Sequence, residues 1–209
     1  MDTNLIPLSN SFYCSNTLVL TSDLLGKYLV REKGRKKWVG KIVETEAYIG
    51  ENDPACHAFR GHTPRTSVMY GEPGHAYVYF TYGMYFMLNV VTEQQGFPAA
   101  VLIRALEPLA GFAADDPRPA SGPGKLCKNM EIDKSLNGIS LQSKALWIGQ
   151  LERNDLVKIR WSPRIGINVG TEKIWRAYIY GNAYVSRKSN SHHVFHPSRF
   201  DGRSLKKKG

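Results

Sequence analysis

Most of this chain consists of short apolar runs with the composition of β-strands, and few helix-forming segments separate them. The strand candidates cover residues 39–48, 74–80, 85–91, 99–105, 156–167 and 175–185. Parallel strands need long crossover connections that usually contain a helix, so consecutive strands joined by short turns favour an antiparallel sheet. Only two helices are predicted, one with Ser22 as its N-cap and one over residues 125–130. The sequence predicts a mixed α+β fold: residues 1–209 form a single compact domain around a curved, mostly antiparallel β-sheet with a protruding β-hairpin and peripheral helices.

Positive charge is concentrated in two parts of the chain. The net charge is +10, and residues 27–41 and 186–209 each hold seven basic residues and one acidic residue. Taken alone, either stretch is equally well explained as a solvated loop or tail, and residues 187–209 are expected to be a flexible basic tail. Together they indicate a polyanionic partner such as nucleic acid.

The cysteine count and the hydropathy pattern limit the class of protein further. The three cysteines form no CxxC pair, which argues against a disulfide framework and favours a reducing compartment. No run of about 18 apolar residues is present, so the sequence predicts no membrane partner. The expected location is the cytoplasm, associated with the nucleoid in a bacterium, or the nucleus in a eukaryote.

Aromatic residues are densest between positions 77 and 86, where six of ten residues are Tyr or Phe. Aromatic side chains favour strands, so most of them are expected to pack in the core. Tyr82 is different because it lies beside Gly83 at the tip of a predicted hairpin. An exposed aromatic residue in a basic protein suits a wedge or a stacking surface for bases.

Two acidic residues interrupt the apolar strand at 39–48. Strand alternation places Glu44 and Glu46 on one face with Ile42 and Tyr48, with the two carboxylates about 6.5–7 Å apart. That face is either exposed to solvent or part of a cleft. In a cleft, a carboxylate beside aromatic side chains suits hydrolysis of an N-glycosidic bond, because it can accept a proton from water and stabilise an oxocarbenium-like sugar.

The histidines and a glycine-rich turn offer weaker signals. His57 and His62 lie in a loop and three more histidines lie near the C-terminus, but no spacing resembles a zinc site, so no metal is predicted. The turn before Lys125, which contains Gly124, begins a predicted helix. Backbone N–H groups there would suit an anion, so Gly124 and Lys125 are predicted to contact the phosphate backbone of a polyanionic partner, although a plain turn explains them equally well.

Several motifs together resemble one known family. The strings VETEAYIG, HTPR, YVYFTYGMYFMLNVV, VLIRALEP and GPGKLC occur in this order. They resemble the alkyladenine (3-methyladenine) DNA glycosylases of the mammalian type, which also occur in bacteria. The resemblance extends from about residue 13 to residue 186 and leaves out the basic tail.

The resemblance implies a set of catalytic and pocket residues. Glu46, the second acid of VETEAY, corresponds to the general base that activates water for attack on deoxyribose C1′, and Arg104 corresponds to the arginine beside that water. Tyr48, His57 and Tyr79 correspond to the walls that sandwich a flipped base.

Two further positions follow from the same resemblance. Tyr82 corresponds to the residue that enters the minor groove and fills the gap left by the flipped base, in agreement with its predicted place at a hairpin tip. Asn89 corresponds to the residue that obstructs the 2-amino group of guanine. Glu44 is left without an assigned role.

The function implied is that of a monofunctional DNA glycosylase of base excision repair. Such an enzyme flips alkylated or deaminated purines out of duplex DNA and hydrolyses the N-glycosidic bond without a metal or organic cofactor. The expected lesions are 3-methyladenine and 7-methylguanine. Because the loop after His57 is compact, the resemblance does not decide whether the neutral lesions hypoxanthine and ethenoadenine are also substrates. The partner is double-stranded DNA that contains damaged purines, and the basic stretches are expected to flank the groove that follows the DNA backbone. The protein is expected to be a monomer.

Two other functions remain open at this stage. A non-catalytic nucleic-acid-binding domain would also use the charge and the stacking aromatics, but it has no use for a carboxylate in its cleft. A glycosidase that acts on small nucleosides would need neither the Tyr82 wedge nor a net charge of +10.

Overall fold

A computed structural model describes residues 4–153 and 156–187 of the chain. Within these ranges the strands are β1 (Ile6–Pro7), β2 (Tyr28–Lys33), β3 (Lys36–Ile49), β4 (Ala76–Thr81), β5 (Tyr85–Val91), β6 (Ala99–Ala110), β7 (Leu146–Gln150), β8 (Ile159–Ser162) and β9 (Arg176–Ile179). The α-helices are α1 (Asn10–Tyr13), α2 (Thr17–Asp23) and α3 (Pro123–Asn129). Short 3₁₀ segments occupy His57–Arg60, Ser67–Tyr70 and Lys134–Leu136. Apart from Arg187, the predicted basic tail with its three histidines lies outside the described residues.

The nine described strands belong to one sheet. The strand order is β1-β7-β2-β3-β6-β5-β4, with β9 beside β3 and β8 beside β9. Every pairing between these strands is antiparallel. The predicted fold class, a mixed α+β chain built on a mostly antiparallel sheet, is therefore confirmed.

Strand β3 is the centre of this sheet. One of its edges pairs with β6 over most of its length, and the other is shared by two strands. On that shared edge, residues 36–41 pair with β2, and residues 44–46 pair with β9. This arrangement covers the acidic segment of β3 on both edges.

The basic stretch of residues 27–41 forms the β2–β3 hairpin. Its tip is ten residues from Glu46 along β3, which corresponds to about 33 Å in an extended strand. At the tip, Lys33 and Lys36 both pair with Glu131, at 2.8 and 2.7 Å. Part of the positive charge seen in the sequence is therefore neutralised within the protein, and Arg35 and Lys37 lie with this pair of lysines at the far end of the hairpin from the acidic segment.

Two irregularities in the β3–β6 pairing alter the direction of side chains near Glu44. The register passes from Ile42–Leu106 to Glu44–Ala105, and then to Thr45–Ile103. Val43 and Arg104 are each left without a directly opposed partner. A β-bulge of this kind bends the strand and reorients the side chain of the extra residue. Arg104, at this irregular position, reaches both carboxylates of β3.

The core lies against both faces of the sheet. Helices α2 and α3 pack against the main hydrophobic cluster, which includes Ile42, Leu88 and Ile103. A second, smaller cluster, which includes Met69 and Tyr77, lies under the loop that follows β3. The aromatic residues of the candidate site pack against this second cluster.

The first predicted helix differs from the one observed. Ser22 is not an N-cap, because α2 begins at Thr17 and Asn16 is the capping residue, its side chain accepting a hydrogen bond from the Leu18 N–H. Ser22 lies in the last turn, where its hydroxyl donates to the carbonyl of Val19 at 2.8 Å. Ser and Thr within a helix commonly bond back to the preceding turn in this way, which makes a cap hard to distinguish from sequence.

Candidate active site

An open cleft of about 320 Å³ lies between the β4–β5 hairpin, the loop after β3 and the loop after β8. Five residues predicted for the site line this cleft: Tyr48, His57, Tyr79, Tyr82 and Arg104. A recess of about 20 Å³ adjoins it, and Asn89 lines that recess together with Tyr48, His57 and Tyr79. The structure thus brings together six residues that are distributed over more than 50 positions of the sequence.

Glu46 lies immediately below the cleft and is fully buried. Its Oε1 accepts a hydrogen bond from the Ile165 N–H at 2.7 Å. Its Oε2 accepts one from the Tyr48 hydroxyl at 3.0 Å and one from Arg104 Nη1 at 3.1 Å. All three donors belong to residues that line the cleft, so the carboxylate is one hydrogen bond away from the space where a substrate would bind.

The surroundings of Glu46 act on its proton affinity in opposite directions. Burial raises the pKa of the Glu46 carboxyl above its usual value, because the charged form loses its hydration. The positive charge of Arg104 and the Ile165 N–H oppose this rise, and the negative charge of Glu44 adds to it. A raised pKa makes a carboxylate a stronger base, provided that it is still ionised at the working pH.

Glu44 does not face solvent either, because it is fully buried. Its Oε1 accepts hydrogen bonds from Arg104 Nε at 3.3 Å and Arg176 Nε at 2.6 Å. Its Oε2 accepts one from the Ser186 N–H at 2.6 Å. Arg104 therefore bridges the two carboxylates of β3. Burial lowers the pKa of the Arg104 guanidinium, but the attraction of Glu46 and Glu44 outweighs this and leaves it raised.

The ring of Tyr48 is supported from behind by a buried ion pair. Arg164 lies over this ring, with its guanidinium carbon 4.7 Å from the ring centroid. The guanidinium binds Asp53 through two parallel hydrogen bonds of 2.6 and 2.7 Å, and both side chains are fully buried. Because Arg164 precedes Ile165, the same ion pair fixes the loop whose N–H contacts Glu46.

The opposite part of the cleft is built from His57 and Tyr79. Their rings meet edge to face, with centroids 4.5 Å apart. His57 Nδ1 is 2.9 Å from the Tyr77 hydroxyl. Burial and the nearby charge of Arg65 lower the pKa of His57 to about 4, so the imidazole is neutral at pH 7. A neutral ring beside two tyrosines can stack on a positively charged base without repelling it.

Asn89 is held in place by the backbone of the neighbouring strand. Its side-chain nitrogen donates to the Tyr77 carbonyl at 3.1 Å, and the residue is buried. This hydrogen bond fixes the amide at the inner end of the recess.

The tip of the β4–β5 hairpin presents Tyr82 to solvent. Its side chain is 76% exposed, and the adjacent Met84 is 67% exposed. Tyr82 and Gly83 have φ angles of 52° and 66°, the signs required by a type I′ turn. A large aromatic side chain that is this exposed suits a surface that inserts into a partner.

The glycine-rich turn before α3 has a packing function. A Cβ atom on Gly124 would lie 2.8 Å from Cδ1 of Tyr85, so only glycine fits there. The ammonium group of Lys125 is exposed and pairs with Asp116 at 3.2 Å. Exposed pairs of this kind are weak, so Lys125 remains able to exchange this partner for a phosphate.

The described residues contain neither a metal-binding cluster nor a membrane-spanning helix. They include no group of three His, Cys, Asp or Glu side chains that could hold a metal ion. None of their helices has the length and apolar character needed to cross a bilayer. Cys56 and Cys127 are buried free thiols, and Cys14 is an exposed one.

Four site residues were not predicted from the sequence: Asp53, Arg164, Ile165 and Arg176. A signal existed for Arg176, because it is a charged residue inside the apolar run 174–179. Charged residues are almost never fully buried unless they are paired, so a carboxylate partner could have been expected. The other three carried no distinctive local pattern.

A carboxylate buried below an aromatic cleft and beside an arginine suits a hydrolytic site. Comparison with known proteins specifies the family. The sequence profile of the methylpurine-DNA glycosylase (MPG) family matches residues 11–183. The chain belongs to this family, and it is an enzyme that hydrolyses N-glycosyl bonds in DNA.

Similar proteins from bacteria and archaea agree with this assignment. A protein of Carboxydothermus hydrogenoformans is 48% identical over 190 residues, which cover 87% of this chain and 99% of its own. One of Methanocella arvoryzae is 47% identical over 197 residues, covering 87% and 96%. One of Legionella pneumophila (strain Corby) is 44% identical over 183 residues, covering 86% and 98%. The names of all three assign them provisionally as 3-methyladenine DNA glycosylases.

Proposed function

We propose that this enzyme removes damaged purines from double-stranded DNA, and that Glu46 activates the water that attacks deoxyribose C1′. The observation that carries the proposal is the carboxylate of Glu46, fully buried below an aromatic cleft in a chain of net charge +10. A surface that only bound DNA would be weakened by this group, because a buried carboxylate costs desolvation energy and repels phosphates. A hydrolytic reaction would use the carboxylate as its general base.

In the proposed reaction, the water oxygen forms a bond to C1′ while the bond from C1′ to purine N9 breaks. The electron pair of the broken bond passes to the purine, and a proton of the water passes to the Glu46 carboxylate. The products are the free base and an abasic site. Glu46 also stabilises the positive charge that develops on the sugar, and Arg104 holds both the carboxylate and the water.

The aromatic walls give the site its preference for alkylated purines. A 3-methyl or 7-methyl purine is a cation, which is attracted to the faces of Tyr48 and Tyr79. Such a base becomes neutral as it leaves, so it needs no strong general acid. Each stacked base contributes about 1–3 kcal/mol, which also permits neutral lesions such as hypoxanthine and ethenoadenine to bind. Asn89, fixed at the recess, would obstruct the 2-amino group of normal guanine.

Access to the cleft requires that the damaged base leaves the duplex. Flipping costs a few kcal/mol and is cheapest for a damaged or mispaired base. Tyr82 at the exposed hairpin tip is suited to enter the minor groove and occupy the vacated space. The wedge and the cleft belong to one chain, so the enzyme can act as a monomer. None of the described residues that line the cleft is a lysine, which fits a monofunctional glycosylase without lyase activity.

The alternative of a non-catalytic DNA-binding domain is disfavoured by the family assignment and by the cost of burying Glu46. The alternative of a glycosidase for small nucleosides is disfavoured by the exposed tip of the β4–β5 hairpin, which a small substrate does not need.

The proposal is tested with duplex oligonucleotides that each carry one lesion, together with duplex DNA treated with a methylating agent as a source of 3-methyladenine. Free base is measured by chromatography under single-turnover conditions. Glu46→Gln should reduce the excision rate by about 10²–10⁴-fold, the usual contribution of a general base, and should retain binding to the lesion duplex.

Glu72→Gln is the matched control, because Glu72 is an exposed glutamate outside the cleft. It should excise at the rate of the unmodified enzyme. Unchanged excision by Glu46→Gln would contradict the mechanism, and the absence of excision from every duplex by the unmodified enzyme would contradict the proposed substrate class.

A further inference from the structure

Four ionic side chains form a buried row below the cleft, and only the first two have a role in the proposed reaction. The row runs Glu46, Arg104, Glu44, Arg176, with contacts of 3.1, 3.3 and 2.6 Å between successive members. The side chains of the two glutamates are fully buried, and those of Arg104 and Arg176 are 9% and 1% exposed. Two negative and two positive charges alternate, so the row is electrically neutral.

Several contacts hold the side chain of Arg176 in position. It lies on β9 directly opposite Glu46 in the strand register. Its Nη1 donates to the Ser162 hydroxyl at 2.8 Å, and its Nη2 donates to the Arg187 carbonyl. Its guanidinium carbon lies 4.6 Å from the ring centroid of Tyr178. Arg176 does not line the cleft, and within the row its contact is with Glu44.

The other charged and titratable groups around Glu46 show why Arg176 is needed. Glu44 and Tyr48 face Glu46 from β3, Arg104 from β6, Tyr79 from β4 and Arg164 from the loop after β8. Arg164 is paired with Asp53, and Arg104 contacts both glutamates of β3. Without Arg176 the row would carry one excess negative charge beside the base.

An excess negative charge at this place would act on Glu46. Two carboxylates in one buried site favour protonation of one of them. The influence of Glu44 on Glu46 is already in that direction. A protonated Glu46 could not accept a proton from water.

We propose that Glu44 and Arg176 are positioning residues of the glycosylase reaction: Glu44 orients Arg104 toward Glu46, and Arg176 balances the charge of Glu44 so that Glu46 stays ionised. This inference rests on the proposed role of Glu46 as the general base. It adds a function for Glu44 and for a strand, β9, that supplies no residue to the cleft lining.

The test compares how excision depends on pH in variants that change the charge of the row. Arg176→Gln leaves an excess negative charge, so the acid limb of the single-turnover rate profile should move to higher pH, by about one unit or more. Glu44→Gln leaves an excess positive charge, so the acid limb should move to lower pH. The double variant restores neutrality, and its acid limb should return toward that of the unmodified enzyme.

Two controls separate charge from packing. Arg176→Lys retains the charge and should keep the unmodified acid limb even if it melts at a lower temperature, so it remains informative if Arg176→Gln does not fold. Arg153→Gln removes an exposed arginine three residues after β7, outside the cleft, and should leave the acid limb unchanged. Rate losses in Arg176→Gln and Glu44→Gln with an unchanged acid limb would show a structural role only and would overturn the proposal.

A second measurement does not depend on catalysis. The titration of the Glu46 side-chain carboxyl carbon is followed by NMR in the free protein, with Glu46→Gln for assignment. The midpoint should rise in Arg176→Gln and fall in Glu44→Gln, and unchanged midpoints would overturn the proposal. If the midpoints move as expected but the unmodified enzyme releases no base, the proposed function fails while the charge arrangement stands.

Discussion

Replacing Asp53 with asparagine tests whether a buried ion pair organises the site from behind. The substitution keeps the size of the side chain but removes the charge that faces Arg164. In the folded protein both carboxylate oxygens bind this guanidinium, at 2.6 and 2.7 Å, and both side chains are fully buried. The amide of the substituted side chain has a single oxygen, so it could accept only one of these two hydrogen bonds. The guanidinium would be left buried without a counterion of full charge.

The size of the effect follows from this burial. Breaking a buried ion pair by neutralising one partner costs about 3–5 kcal/mol, because the remaining charge is uncompensated. For a domain of this length, each kcal/mol lowers Tm by about 2–4 °C, which gives a decrease of about 6–20 °C. Excision should also slow by about 10²-fold at temperatures where the variant is folded, because the loop that carries Ile165 and the support of Tyr48 would both shift.

The assay has two parts. Thermal unfolding is followed by circular dichroism, and single-turnover excision is measured at about 20 °C below the Tm of the variant, where the variant is folded. Asp116→Asn is the matched control, because Asp116 forms an exposed pair with Lys125. It should leave both quantities unchanged, since exposed pairs are screened by water and salt. A Tm of Asp53→Asn within about 2 °C of the unmodified protein, less than the shift expected for 1 kcal/mol, would refute the reasoning.

Four further outcomes are expected. Tyr82→Ala should weaken lesion-duplex affinity and excision by about 5–150-fold, which is the equivalent of one lost stacking contact, and should leave Tm unchanged because the side chain is exposed. Equal affinity of the variant in a gel-shift titration would contradict the proposed role of Tyr82 as a wedge. Gly124→Ala should lower the free energy of unfolding in urea by about 1–3 kcal/mol, because its Cβ would overlap the Tyr85 ring. The pKa of His57 is lowered to about 4 in the folded protein, so as the pH falls the unfolded chain binds this proton first, and the free energy of unfolding should decrease between about pH 6.5 and pH 4. In denaturant titrations, His57→Gln should reduce this dependence of the free energy of unfolding on pH. Treatment with EDTA should leave excision unchanged, and a loss of activity that zinc restores would show that a metal takes part.

The sequence was sufficient for those features that depend on neighbouring residues. The apolar run of β3, the aromatic hairpin and the exposure of Tyr82 follow from strand periodicity and from the turn at Gly83. The prediction that Glu44 and Glu46 share a face was right, because alternation along one strand is a local property. Whether that face was exposed or part of a cleft stayed open, since burial depends on which strands lie beside it.

Arg104 shows the limit of this reasoning. Its place next to Glu46 was inferred from a family resemblance and not from the pattern of its own strand. The strand pairing is irregular at Arg104, which has no directly opposed partner on β3. A one-residue irregularity in a strand pairing has no distinct signature in a single sequence.

The sequence by itself determined most of the strands, the basic character and, through its motifs, the family, although β1 and β7 were not predicted. The tertiary structure alone decided how the buried charges are paired. Glu44 meets Arg176 across 132 positions of the chain, and Asp53 meets Arg164 across 111. Such pairs form only when β9 and the loop after β8 lie against β3, and their strength comes from the low polarity of a site closed by the whole sheet.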